Sequence, residues 1–173
     1  IRHFSEAVAH RLGQTEREIQ ELGQASLLHD LGKLGIPDAI IRKPGKLTAE
    51  EFNEIKTHPA LALHILGDHP RYTLARQIAY SHHEKWDGNG YPQGLKGEEI
   101  PLSARIVAIT DVFDALTSVR PYKTAWTLEA TIDELKRCRG SHFDPQLIDV
   151  FIELYEQGIL QGIISRFPSG ESH

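Results

Sequence analysis

Apolar residues recur at three- and four-residue intervals along most of the chain, and no segment shows the alternation a half-buried strand requires. The first segment carries Phe4, Ala7, Val8 and Leu12 at helical spacing with no cap before it, so it is expected to be a helix truncated at its N-terminus. Thr15 with Glu18 makes a capping box, and the helix it opens runs through Ile19, Leu22 and Ala25 to His29, where Gly32 lets it stop. Residues 34–46 hold Pro37 and Pro44 and read as a structured loop. Thr48 with Glu51 opens a third helix that reaches His58, set at a helix end or break by Pro59. A fourth carries Leu61, Ile65 and Leu66, and a fifth runs from about Tyr72 to His83.

The strongest pattern spans Leu102 to Ser118. Ile106, Ile109, Phe113 and Leu116 form one stripe; Ala104, Ala108, Asp111 and Ala115 form another whose small members let other groups come close. Asp114, three residues after Asp111, lies on the same side. Two further helices are expected, from Leu128 to about Lys136 and from a cap at Asp144, with Pro145 in its first turn, through Leu154. The pattern predicts an all-α fold, a bundle of about seven helices in one domain over residues 1–166, followed by a flexible tail at 167–173.

Composition narrows the class. A chain of 173 residues, 40% hydrophobic and 25% charged, has the size and balance of one globular domain. No apolar run approaches the ~20 residues of a membrane span and no signal segment opens the chain, so a cytoplasmic protein without a membrane partner is expected. The net charge of -5 argues against binding polymeric nucleic acid, which needs a basic field. Cys138 has no partner for a disulfide and is expected to be an inert helix residue. The ten histidines are more telling by position than by number.

His82 and His83 end an apolar helical run, and the glycine-rich turn Asp87 to Gly90 follows. Neighbours on a helix point about 100° apart, so the pair suits two metals sharing a site better than one metal held twice. One packed and one solvated imidazole beside an ordinary turn would also account for it. The metal-competent residues as a set are His29, Asp30, His58, His82, His83 and Asp111, each near a helix end or on an inward stripe. Helical bundles build multi-metal sites in this way. Imidazoles with a few carboxylates suit iron, manganese, zinc or nickel rather than calcium or magnesium. Asp30 could bridge two ions, and a two-metal site implies hydrolysis of a phosphate ester.

His29-Asp30 with Lys33, then His58-Pro59, His82-His83-Glu84, Gly90-Tyr91-Pro92 and Arg120-Pro121-Tyr122-Lys123, together resemble the HD-GYP domain family of the HD phosphohydrolase superfamily. The likeness extends from about Ala7 to Pro145 and implies an HD-domain helical bundle with a metal site in its core. It also implies a phosphodiesterase that hydrolyses the bacterial second messenger cyclic di-GMP to pGpG, with GMP as a further product. It assigns the metal ligands to His29, Asp30, His58, His82, His83 and Asp111, and catalytic roles to Asp30 and Lys33. Substrate contacts fall to Lys33, Tyr91, Asp114, Arg120 and Lys123. Two divalent metals are implied, iron or manganese before zinc or nickel. A third would need a glutamate and a histidine upstream of Ile1, since His3 and His10 do not match those positions and read as surface residues. His64, His69 and His142 match no ligand position.

As partners the resemblance implies cyclic di-GMP, a diguanylate cyclase domain docking on the Gly90-Tyr91-Pro92 loop, and an upstream receiver or sensor domain; a homodimer stays open. Two rival readings remain at this point. One is a weakly active or inactive module that binds the nucleotide or a diguanylate cyclase. The other is a phosphohydrolase of another nucleotide.

Overall fold

A computed structural model describes residues 1–120 and 123–168. Its α-helices are α1 (Arg2–Arg11), α2 (Glu16–Ser26), α3 (Asp38–Ile41), α4 (Ala49–Ile55), α5 (His58–Leu66), α6 (Thr73–Ser81), α7 (Leu102–Thr117), α8 (Leu128–Arg137), α9 (Pro145–Glu156) and α10 (Ile159–Arg166). Short 3-10 turns precede α3, α6 and α7. The all-α expectation holds among these residues.

Local chemistry starts the helices where the sequence indicates. Thr15 and Glu18 exchange side-chain and backbone bonds across the start of α2, as do Thr48 and Glu51 at α4, satisfying amides the first turn leaves free. Asp144 caps α9 by accepting from the Gln146 amide at 2.9 Å, and its other carboxylate oxygen takes the Arg105 guanidinium of α7 at 2.7 Å. That second bond lets a carboxylate only 4% exposed stay paired.

The bundle forms around α7. Ile106, Val107, Ile109 and Phe113 are buried among Phe4 and Val8 of α1, Ile78 of α6, Ile132 and Leu135 of α8, and Ile148 and Phe151 of α9. Phe113 takes Phe4 edge-on at 4.9 Å and Phe151 at 5.0 Å. The Ser5 and Thr110 hydroxyls meet at 3.0 Å between α1 and α7, so these buried polar groups satisfy each other. The other face of α7, with Ala104 and Ala108, leaves room for Asp111 to meet the ends of the helices that carry the histidines.

Several boundaries differ from the sequence reading. The second helix stops at Ser26 rather than His29, because the Ser26 hydroxyl donates back to the Gly23 carbonyl and the His29 ring donates to the Ser26 carbonyl. His58 opens α5 instead of closing α4, with Pro59 in the first turn, where its missing N–H costs nothing. α3 and α10 are additions. The one-turn α3 hides in the loop at 34–46, and α10 begins after Gly158, whose φ of 75° ends α9 in the left-handed region. Phe167, assigned to the tail, lies flat on His3 with ring centroids 3.8 Å apart, so His3 lies at the surface with one face of its ring covered. Residues 169–173, with His173, lie outside the described residues, as do Pro121 and Tyr122.

Candidate metal centre

Three helix ends converge. The stretch after α2 brings His29 and Asp30, the start of α5 brings His58, and the end of α6 brings His82 and His83; Asp111 reaches them from α7. Gly32 makes the first two meet. A Cβ there would stand 1.8 Å from the His58 carbonyl oxygen, so only glycine lets the turn Leu31–Gly35 lie against the first turn of α5. Its role is close approach, not helix termination.

The backbone also sets which nitrogen of each ring faces inward. Nδ1 of His29 donates to the Ser26 carbonyl at 2.7 Å, that of His58 to Ile55 at 2.6 Å and that of His82 to Ile78 at 3.0 Å. A carbonyl oxygen can only accept, so each Nδ1 carries the proton and each Nε2 turns a lone pair to the centre when the ring is neutral. Nε2 of His58 lies 3.4 Å and that of His82 3.5 Å from Oδ1 of Asp30; His29 Nε2 stands 3.3 Å from Asp30 Oδ2 and 3.4 Å from Asp111 Oδ1. Asp30 Oδ1 and Nε2 of His58, His82 and His83 are buried without a hydrogen-bond partner. Buried polar atoms left unpaired are costly, and lone pairs facing carboxylate oxygens call for a cation between them.

The potential ligands fall into two groups. Asp30, His58, His82 and His83 form one, and His29, Asp30 and Asp111 the other; within each, the ligand atoms lie within 4.8 Å of one another. Asp30 belongs to both. His82 and His83 share one group, against the expectation that they would point apart. α6 ends at Ser81, so the pair sits in the turn beyond it, with ring centroids 4.0 Å apart. What links the two groups is therefore Asp30, not the histidine pair. These donor types fit a transition-metal ion.

Charge is arranged to match. Burial pulls the Asp30 carboxyl upward, but the imidazoles of His29, His58 and His82 outweigh it and hold it well below the usual carboxylate range. Asp111 is likewise lowered, His29 overcoming the effect of burial. Burial, then the neighbouring rings of His82 and His58, push His83 down to about 2, which keeps it a neutral donor. Lys33 donates to Asp30 Oδ2 at 2.9 Å. Tyr91 lies on His83, centroids 4.9 Å apart and planes 17° apart. Burial and the charges of Asp30 and Asp111 raise its phenol to about 12, so it stays protonated.

The remaining sequence candidates sit further out. Arg120 and Lys123 pair backbone to backbone just beyond α7, each amide 3.0 Å from the other's carbonyl, and Lys123 Nζ lies 5.5 Å from the Trp126 ring; neither forms an ion pair among the described residues. Asp114 lines a small cavity with Ile1, His3, Phe4 and Phe167. His10, His64 and His69 are exposed, whereas His142 stacks on Phe143 at 4.0 Å.

Sequence reasoning gave Glu84 no role. Its carboxylate, 2% exposed, accepts the amides of Gln93 at 2.7 Å and Leu95 at 3.0 Å. It thereby ties the segment after Tyr91 to the histidine pair. The signal was its place directly after two candidate ligands and before a glycine-rich turn.

Residues 1–147 match the HD domain family model. The chain is 49% identical over 98% of its length to the cyclic di-GMP phosphodiesterase response regulator RpfG of Xanthomonas campestris, covering 45% of that protein. It is 45% identical over 90% of its length to 3'3'-cGAMP-specific phosphodiesterase 2 of Vibrio cholerae, covering 30% of it. The chain thus spans less than half the length of these curated relatives. An HDG"Y"P protein from Bdellovibrio bacteriovorus shares the fold, with a TM-score of 0.69 at 20% identity over 90% of this chain and 51% of that one.

Proposed function

Since the chain belongs to the HD domain family, we propose that it is a metal-dependent phosphodiesterase that opens cyclic di-GMP to the linear dinucleotide pGpG, with GMP as a further product. The observation that carries this reading is the Asp30 carboxylate shared by two groups of ligands whose inward atoms are buried and partnerless. His58, His82 and His83 would hold one ion, His29 and Asp111 the other, and Asp30 both, with iron or manganese the first choice for such donors. Bound there, two divalent metals would supply Lewis acidity to a phosphoryl oxygen and a source of hydroxide at neutral pH.

The protein's own groups support the same chemistry. The three Nδ1–H bonds lock the rings with Nε2 inward, so little reorientation of the rings is needed when the site loads. Lys33, already at Asp30, is positioned to offset charge on a non-bridging phosphate oxygen. Hydrolysis forms a bond from a water oxygen to phosphorus and breaks the bond from phosphorus to O3′, which leaves with a proton as a hydroxyl. Arg120, Lys123, Tyr91 and Asp114 complete the proposed substrate contacts. The domain is read as residues 1–166, the output part of a cytoplasmic regulator with an upstream receiver or sensor domain. No helix among the described residues is long and apolar enough to cross a membrane.

A second reading has specific support: a relative 45% identical is named for 3'3'-cGAMP. Loading the protein anaerobically with iron or manganese and following cyclic di-GMP and 3'3'-cGAMP side by side by chromatography separates the two. The proposal expects pGpG to form faster than the product of 3'3'-cGAMP. The reverse order favours the second reading, and metal bound without turnover of either contradicts both and leaves a binding module.

A further inference from the structure

We propose that Lys56 binds the second phosphate of the dinucleotide, the one that is not on the metal centre; this rests on the phosphodiesterase reading above. Lys56 caps the end of α4, two residues before His58, so the turn that aims His58 into the centre also sets the lysine at its rim. Its ammonium lies 4.9 Å from the centroid of Phe52 and 5.5 Å from that of Tyr91. Tyr91 in turn lies against His83, and Phe52 meets Tyr91 edge-on at 6.5 Å. The phenol ring thus stacks on a candidate metal ligand and also lies within reach of a cation.

The position of that cation is unusual. Aromatic faces attract an ammonium but do not neutralise it, and Lys56 has no carboxylate within ion-pair distance among the described residues. Lys33, the other lysine at the centre, is already paired with Asp30. A half-buried, uncompensated lysine beside a phosphate-processing site suits a phosphate as its counter-ion. A cyclic dinucleotide carries two phosphodiesters. With one on the metals, the second needs a cation at the rim of the centre, and Lys56 stands there beside Tyr91. The competing role, a lysine that merely packs its stem on two rings, predicts that a methionine would serve as well.

Metal-loaded wild type, Lys56→Met and Lys56→Arg are compared on cyclic di-GMP and on bis(p-nitrophenyl) phosphate, a diester with no second phosphate. For Lys56→Met the KM for cyclic di-GMP should rise about tenfold, the loss of one charge-assisted contact. Its kcat, its metal content and its action on bis(p-nitrophenyl) phosphate should stay unchanged, and Lys56→Arg should retain most of the affinity. An unchanged KM in Lys56→Met, or an equal loss on both substrates, overturns the assignment alone. A wild type that cleaves bis(p-nitrophenyl) phosphate but neither binds nor cleaves cyclic di-GMP overturns the proposed function and the assignment with it.

Discussion

Oδ1 of Asp30 lies 3.4 Å from Nε2 of His58, and both atoms are buried without a hydrogen-bond partner. The His58 Nδ1 proton is committed to the Ile55 carbonyl, so in the neutral ring a lone pair faces the carboxylate, an arrangement that a cation between them satisfies. Asp30→Asn tests this most simply. The amide keeps the shape but loses the charge that two ions would share, so metal affinity should fall by about a hundredfold or more and turnover with it. Far-UV circular dichroism should stay that of the folded protein. A variant that keeps its metal and its activity would contradict the bridging role.

The site should load better as pH rises. In the metal-free protein burial pulls His29 down, but Asp111 and Asp30 outweigh it and push it from 6.5 up to about 10. The raised value stabilises the metal-free fold fully below about pH 6.5 and is lost as pH rises through 10. A metal that takes Nε2 must displace that proton, so affinity should rise up to about tenfold per pH unit between those limits. Calorimetry of Mn(II) binding in two buffers of different ionisation enthalpy should reveal proton release, and heats identical in the two buffers would refute it.

Glu84 should matter more than a residue that touches no ligand atom. Glu84→Ala removes the acceptor for the Gln93 and Leu95 amides, at a cost of about 2–3 kcal/mol in denaturant unfolding. It should also free the loop that presses Tyr91 on His83, raising the KM for substrate. Glu84→Gln keeps one acceptor oxygen and should lose less. Equal stability of both variants with the wild type would show that the two bonds contribute nothing.

Gly32→Ala puts a methyl group against backbone, not against a side chain that can swing away. The turn Leu31–Gly35 and the start of α5 must then separate, which should cost about 3 kcal/mol or more and move Asp30 away from His58. Thermal unfolding and metal content should fall together. A variant with normal metal content would show that this close approach does not set the site.

Much of this was legible in the chain because it is local. The capping boxes at Thr15 and Thr48, the cap at Asp144 and the two stripes of α7 follow from neighbours a few residues away. The candidate ligands stood out because imidazoles and carboxylates recur at helix ends and because their order resembles the HD-GYP motif set. What was not legible depends on contacts across the fold. That Gly32 faces the His58 carbonyl, that His82 and His83 turn to one side, and that Lys56 hangs over Tyr91 are set by how α4, α5 and α6 meet. No periodicity within one helix encodes such a meeting. α10 is a different case: Leu160 is buried with Ile163 and Ile164 packed beside it at helical spacing, so its stripe is local and only its eight-residue length makes it inconspicuous.

Anomalous diffraction from crystals of the manganese-loaded protein tests the central claim most directly. It should show two ions, one among His58, His82 and His83 and one between His29 and Asp111, with a carboxylate oxygen of Asp30 on each. A single ion, or two ions of which Asp30 touches only one, would contradict the shared-carboxylate site and the two-metal chemistry built on it.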